Sequence, residues 1–89
     1  MSLAAFHRRP LHNQFGISFR LEEKLKRIGI KTMHELLEIG SVEAYKRLQN
    51  AGGKPALNIL YALEGAIIGK HWHSFSEEQK AGIRSRLTG

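Results

Sequence analysis

The stretch from Leu57 to Ile68 constrains this chain more than any other. Leu57, Ile59, Leu60, Tyr61, Leu63, Ile67 and Ile68 leave only Asn58 and Glu64 as strong polar marks. The run is shorter than the ~18–20 apolar residues needed to span a bilayer. As a helix, about Ala56 to Gly69, it is apolar nearly all round, and such a helix is stable only with others packed about it. The chain has 89 residues with which to build that shell. Domains peak near ~100–150 residues, so one small core is expected and a second has no room.

The flanking sequence supplies the shell as short helices with explicit stops. Ser18 can cap a helix whose Leu21, Leu25 and Ile28 follow i, i+4, i+7 spacing, with Glu22–Lys26 and Glu23–Arg27 pairs on its wet side. Gly29 falls where a left-handed stop residue belongs, and Leu25 and Ile30 are the pair that touches in a Schellman ending. Thr32 and Glu35 then fit a capping box, with Met33, Leu36 and Leu37 facing inward and Gly40 as terminator. Ser41 is expected to cap a third helix with Val42, Tyr45 and Leu48 inward and Lys46 and Arg47 outward. Gly52-Gly53-Lys54-Pro55 breaks it, and Pro55 is placed to open the central helix. After a connector, His71-Trp72-His73-Ser74-Phe75, Ser76 and Gln79 form a second capping box before a last helix with Ile83 and Leu87 inward. No segment alternates with strand period. The expected fold is all-α: a compact five-helix domain, residues 18–89, around a central apolar helix. Residues 1–17, punctuated by Pro10 and Gly16, read as a loosely attached leader.

Composition narrows the chemistry. There is no cysteine, so no disulfide, no thiol nucleophile and no Cys-based zinc site. All eight acidic residues are Glu, against 14 Lys and Arg, giving a formal charge of +6. That balance suits an anionic partner without proving one. No apolar segment follows the basic N-terminal residues as a signal peptide requires, and a cytoplasmic location without membrane attachment is the default.

The joint Leu25-Lys26-Arg27-Ile28-Gly29-Ile30-Lys31-Thr32 is the first functional candidate. An apolar-Gly-apolar turn between two helices is the signature of a helix-hairpin-helix unit. The second helix of such a unit presents unpaired N–H groups and partial positive charge to a phosphate. Lys31 stands beside that start, Lys26 and Arg27 one turn back, and Lys46, Arg47 and Lys54 extend the positive charge in sequence. The same glycine and caps also suffice for a plain αα-corner with no ligand.

Further along, Leu57-Asn58-Ile59-Leu60-Tyr61-Ala62-Leu63-Glu64-Gly65-Ala66, Gly69 and His71-Trp72 resemble the C-terminal domain of the TfoX/Sxy family. The upstream run Ile28-Gly29-Ile30-Lys31-Thr32, Glu35-Leu36, Gly40-Ser41-Val42, Ala44-Tyr45 and Arg47-Leu48 matches in the same order. The resemblance covers roughly Ser18 to Leu87. It implies a helical, helix-hairpin-helix-like domain of bacterial regulators of natural competence genes, with no catalytic residues to carry over. Those regulators typically carry an additional N-terminal α/β domain, for which the length here leaves no room.

The remaining polar residues read more simply. Glu64 is either poised for acid–base work or a structural acceptor of hydrogen bonds; catalysis would want a second acid, and the chain has no Asp. His71 and His73, one residue apart, make a poor metal set. Gly52-Gly53-Lys54 lacks the spacing and the Ser/Thr of a phosphate loop. Trp72 and Phe75 are expected to plug the end of the core, or else to form an exposed interface anchor.

The expectation is therefore a non-enzymatic regulatory module needing no cofactor, metal or small-molecule substrate. It would touch DNA phosphates through Lys26, Arg27, Gly29, Lys31, Thr32, Lys46, Arg47 and Lys54. The alternative is a protein-binding or homodimerising module that uses Trp72 and Phe75 and never touches DNA.

Overall fold

In the computed structural model, which describes residues 17–88, five α-helices and one 3-10 turn carry the chain. In chain order they are α1 (Phe19–Arg27), α2 (Met33–Ile39), α3 (Ser41–Asn50), α4 (Leu57–Ile68), the 3-10 turn Trp72–Ser74 and α5 (Glu77–Thr88). Among the described residues there is no strand. Nor is any helix among them long and apolar enough to cross a membrane.

α4 is the hub the sequence demands, packing against α2, α3, α5 and the 3-10 turn. Leu60 and Leu63 on α4 are wholly enclosed, as are Leu25, Ile30, Met33 and Leu36 from the shell. Each such side chain contributes roughly 1.5–3 kcal/mol by leaving water. The burial is not uniform along α4, because Leu57 and Ile68 at its two ends reach solvent. Ile17, one residue before the expected boundary, is buried in the core. The rest of the expected leader lies outside the described residues.

The helix ends follow the local chemistry with instructive exceptions. Leu21 N–H donates to Ser18 Oγ at 3.2 Å, as a capping serine requires. The box before α5 closes in both directions: Ser76 N–H donates to Gln79 Oε1 at 2.8 Å and Gln79 N–H to Ser76 Oγ at 3.1 Å. Ser41 does not cap α3. Gly40 occupies that position, with φ +86°, and Ser41 is the first helical residue. Its hydroxyl is instead committed to a carboxylate far along the chain, donating to Glu64 Oε1 at 2.6 Å. Pro55 stands one residue outside the cap of α4, Ala56, rather than at its first turn. There its carbonyl accepts the Tyr45 hydroxyl at 2.7 Å, which pins the α3–α4 loop to α3.

Glu22 departs from the expected wet face, being only 2% exposed. It lies three positions before Leu25, about 60° around the helix, inside the apolar stripe that α1 turns to the core. Lys26 Nζ approaches it at 3.8 Å. Glu23, by contrast, is exposed and makes no ion pair with Arg27 among the described residues.

Glu64 takes the structural role. Besides Ser41 it accepts Arg86 of α5, Nη2 to Oε1 at 3.2 Å, and one turn away Arg84 Nη1 donates to the Tyr61 hydroxyl at 2.7 Å. α5 buries little apolar surface, Ile83 being its one buried residue. These two arginine contacts, charge-assisted and partly sheltered, therefore hold much of its position on α4.

Candidate functional site

The Gly29 joint adopts the expected geometry. Ile30 N–H donates to Leu25 C=O at 2.9 Å and Gly29 N–H to Lys26 C=O at 3.1 Å, the two bonds of a Schellman ending. Gly29 has φ +90°, a conformation that costs any residue with a Cβ roughly 1–2 kcal/mol. Leu25 and Ile30 are both fully buried beside it.

What the joint presents to solvent differs from an open phosphate site. Glu35 N–H donates to Thr32 Oγ1 at 3.3 Å, so half of the capping box is present. The return bond closes one residue early: Glu35 Oε1 accepts Lys31 N–H at 3.1 Å and the Thr32 hydroxyl at 3.3 Å. A carboxylate of the chain itself thus sits at the start of α2, where an incoming phosphate would need to be. α2 has only seven residues, which limits the dipole it can offer.

The other expected cations scatter. Lys26 faces the buried Glu22. Arg47 Nε is 3.4 Å from Glu43 Oε2 on its own helix. Lys46 is half-buried along α3, and Lys31 is exposed beside the joint.

Arg27 and Lys54 are brought together. They line a groove of about 300 Å³ between the second half of α1 and the α3–α4 loop. Lys24 lines it as well, while Ile28, Leu48 and Pro55 supply apolar surface and the Gly52-Gly53 backbone closes one side. Among the described residues no carboxylate lines the groove. Among the described residues none forms an ion pair with Lys24, Arg27 or Lys54. Three uncompensated cations around one recess repel each other, and an anion placed there relieves all three.

The loop is held in shape from both ends. Ala51 N–H donates to Arg47 C=O at 3.0 Å, Gly52 N–H to Gln49 C=O at 3.2 Å, and the Tyr45 hydroxyl fixes Pro55. A Cβ on Gly53 would stand 3.2 Å from the Leu48 carbonyl oxygen, so the loop lies close against the end of α3.

Lys24 escapes a sequence reading that follows apolar residues only. Arg20, Lys24 and Arg27 repeat the i, i+4, i+7 spacing of Leu21, Leu25 and Ile28 one step out of phase, which was the available signal.

The connector after α4 places its aromatic residues differently from an exposed anchor. Phe75 is 6% exposed and belongs to the core, so it is withdrawn from any partner surface. Trp72 is half-buried, its ring 4.1 Å from His73 in a stacked pair and 6.1 Å from Tyr61. Lys80 Nζ lies 5.7 Å from the Trp72 ring centre. Gly65 permits this arrangement: a Cβ there would collide with the Lys70 carbonyl oxygen and stand 3.3 Å from the Trp72 nitrogen. Among the described residues no cluster of three metal-ligating side chains occurs.

Comparison with known proteins places this arrangement. The model of the TfoX C-terminal domain matches residues 9–87, beginning inside the segment expected to be a leader. The DNA transformation protein TfoX1 of Aliivibrio fischeri is 29% identical over 80 residues, which cover 89% of this chain and 38% of that protein. The chain thus spans well under half the length of that relative. The crystal structure of an uncharacterized protein from Listeria monocytogenes in a triclinic form superposes with a TM-score of 0.81. The two are 35% identical, with 90% of this chain and 91% of that one covered. A tetragonal form of a Listeria monocytogenes protein of unknown function gives a TM-score of 0.77 at 36% identity, covering 83% of this chain and 91% of that one. With 79 of 89 residues inside the family match (87 − 9 + 1), and with an all-α fold of five helices of which α4 is the apolar hub, the chain belongs to the TfoX C-terminal domain family.

Proposed function

We propose that this domain is a non-enzymatic regulatory module that associates with DNA, and that Lys24, Arg27 and Lys54 are its phosphate-contacting residues. One observation carries the reading: three cations from two distant segments converge on a single recess lined by no carboxylate. The relative from Aliivibrio fischeri, named a DNA transformation protein, supports a role near DNA and near competence. The helix-hairpin-helix-like joint contributes by fixing the end of α1, and hence Arg27, rather than by offering its own N–H groups. Lys31, Lys46 and, by displacement from Glu43, Arg47 supply outlying charge. Contacts of this kind position the domain on the backbone and read little sequence.

Fluorescence anisotropy of labelled duplex DNA across salt concentrations tests the reading. Neutralising three to four phosphates gives a log–log slope of about −3 to −4. Absence of binding at low salt contradicts the proposal.

The alternative, a protein-binding or homodimerising module, wants a contiguous exposed apolar patch. Phe75 is in the core, and of the exposed large apolar residues Phe19, Leu57 and Ile68 the last two lie at opposite ends of α4, about 16 Å apart along the helix axis. Light scattering that shows a stable dimer at micromolar concentration would favour the alternative.

A further inference from the structure

A second recess of about 220 Å³ lies on the other side of Lys24, which lines both cavities. Its walls include Arg20, Asn58, Ile59 and Trp72, and again, among the described residues, no carboxylate. Arg20 makes no ion pair among the described residues, and the exposed Asn58 amide has no side-chain hydrogen-bond partner among them. Arg20, Lys24 and Arg27 follow one line along α1, spread over about 10 Å of helix axis. The cations thus form a track, with one recess at Lys54 and a second, partly aromatic one at Trp72.

The two recesses suit different parts of one ligand. The first offers three cations and the loop backbone, which is chemistry for a phosphate. The second offers an apolar wall at Ile59, that part of the Trp72 ring which His73, stacked on it at 4.1 Å, and Lys80 leave open, and an amide with donors and an acceptor free. That is chemistry for the face and edge of a base. A base paired and stacked inside a duplex cannot enter a recess, whereas an unpaired base can be splayed out into it. From this juxtaposition we infer that the preferred ligand is single-stranded nucleic acid. Its backbone follows Arg20, Lys24, Arg27 and Lys54, and one base enters the recess beside Trp72. The inference rests on the proposed nucleic-acid role and adds strandedness to it.

Trp72 is the chain's one tryptophan, so its fluorescence reports on this recess alone. Titration of the intact protein with a twelve-residue oligothymidylate, with a duplex of the same length, and with polyglutamate compares the occupants. The expected result is quenching of Trp72 emission by the oligothymidylate. Its affinity should exceed that of the duplex about fivefold or more, the value of one stacked base. The preference should widen as salt rises, because single strands release fewer counterions per contact. Asn58→Ala, an exposed change with no folding role, should weaken the single strand about threefold and leave the duplex unchanged.

Equal or tighter binding of the duplex without quenching overturns the single-strand inference and leaves the DNA role standing. Binding and quenching by polyglutamate matching those of the oligothymidylate overturn the inference in favour of a general polyanion site. Failure of both nucleic acids to bind at low salt overturns the inference and the DNA role together.

Discussion

Two junctions of this domain carry glycine between helices and lysine or arginine beside it, yet they end in opposite states. At the Gly29 joint the chain answers its own polar groups. The Schellman bonds take the last carbonyls of α1, and the Glu35 carboxylate takes Lys31 N–H and the Thr32 hydroxyl. At the Gly52-Gly53 loop the backbone is held by Tyr45, while the cations around it are left uncompensated. Glycine and positive charge are common to both, so neither distinguishes a folding joint from a binding site. The distinction lies in whether the chain supplies its own carboxylate.

That difference can be broken by substitution. Reversing charge at the open junction, with Arg27→Glu and Lys54→Glu together, should weaken duplex binding roughly a thousandfold at low salt, at about 1 kcal/mol per cation removed and as much again for each acid introduced. Thermal melting should change little, because both side chains are exposed and unpaired. An undiminished affinity in that variant would place the binding surface elsewhere.

The reverse pattern is expected at the closed junction. Gly29→Ala puts a Cβ on a residue at φ +90° and should cost roughly 1–2 kcal/mol in a denaturant titration. Nucleic-acid affinity, measured with the variant fully folded, should move less than twofold. A large loss of affinity with stability retained would return the phosphate site to the hairpin.

Glu35→Gln sharpens the comparison further. Losing the carboxylate at the start of α2 should destabilise the domain by about 0.5–1 kcal/mol. If the start of α2 were the phosphate site, removing its competing negative charge would raise DNA affinity several-fold; with the groove as the site, affinity stays within twofold. The smallest effect is expected for Arg47→Ala. This exposed i,i+4 pair with Glu43 contributes no more than about 0.5 kcal/mol, and melting and binding should both hold near the parent values.

The contrast also explains what could be read in the sequence. Helix ends are legible because they are decided within a few residues: Ser18 with Leu21 and Ser76 with Gln79 at starts, Leu25 with Ile30 at a stop. The apolar hub was legible because no arrangement other than burial suits it. The exceptions all involve partners far away in sequence. Ser41 has the chemistry of a cap, but Glu64 competes for its hydroxyl from 23 residues away. Pro55 has the chemistry of a first helical residue, but Tyr45 fixes it one position earlier. Gly65 shows no local reason to be glycine until the Lys70 carbonyl is seen lying over it.

The groove falls between these cases. Arg27 and Lys54 are each candidates on charge alone, but only packing of α1 beside the α3–α4 loop makes them neighbours and leaves Lys26 and Arg47 out. Phe75 went the other way: an aromatic residue in a connector suits a core or an interface equally well, and its burial decides for the core.

The central claim is that anions bind the open junction and not the hairpin. Amide chemical-shift mapping with duplex DNA at low salt tests it most directly. The account predicts that the largest shifts fall on Lys24, Arg27, Gly52, Gly53 and Lys54 while Lys31, Thr32 and Met33 stay in place. Dominant shifts at Lys31, Thr32 and Met33, or none anywhere, would contradict it.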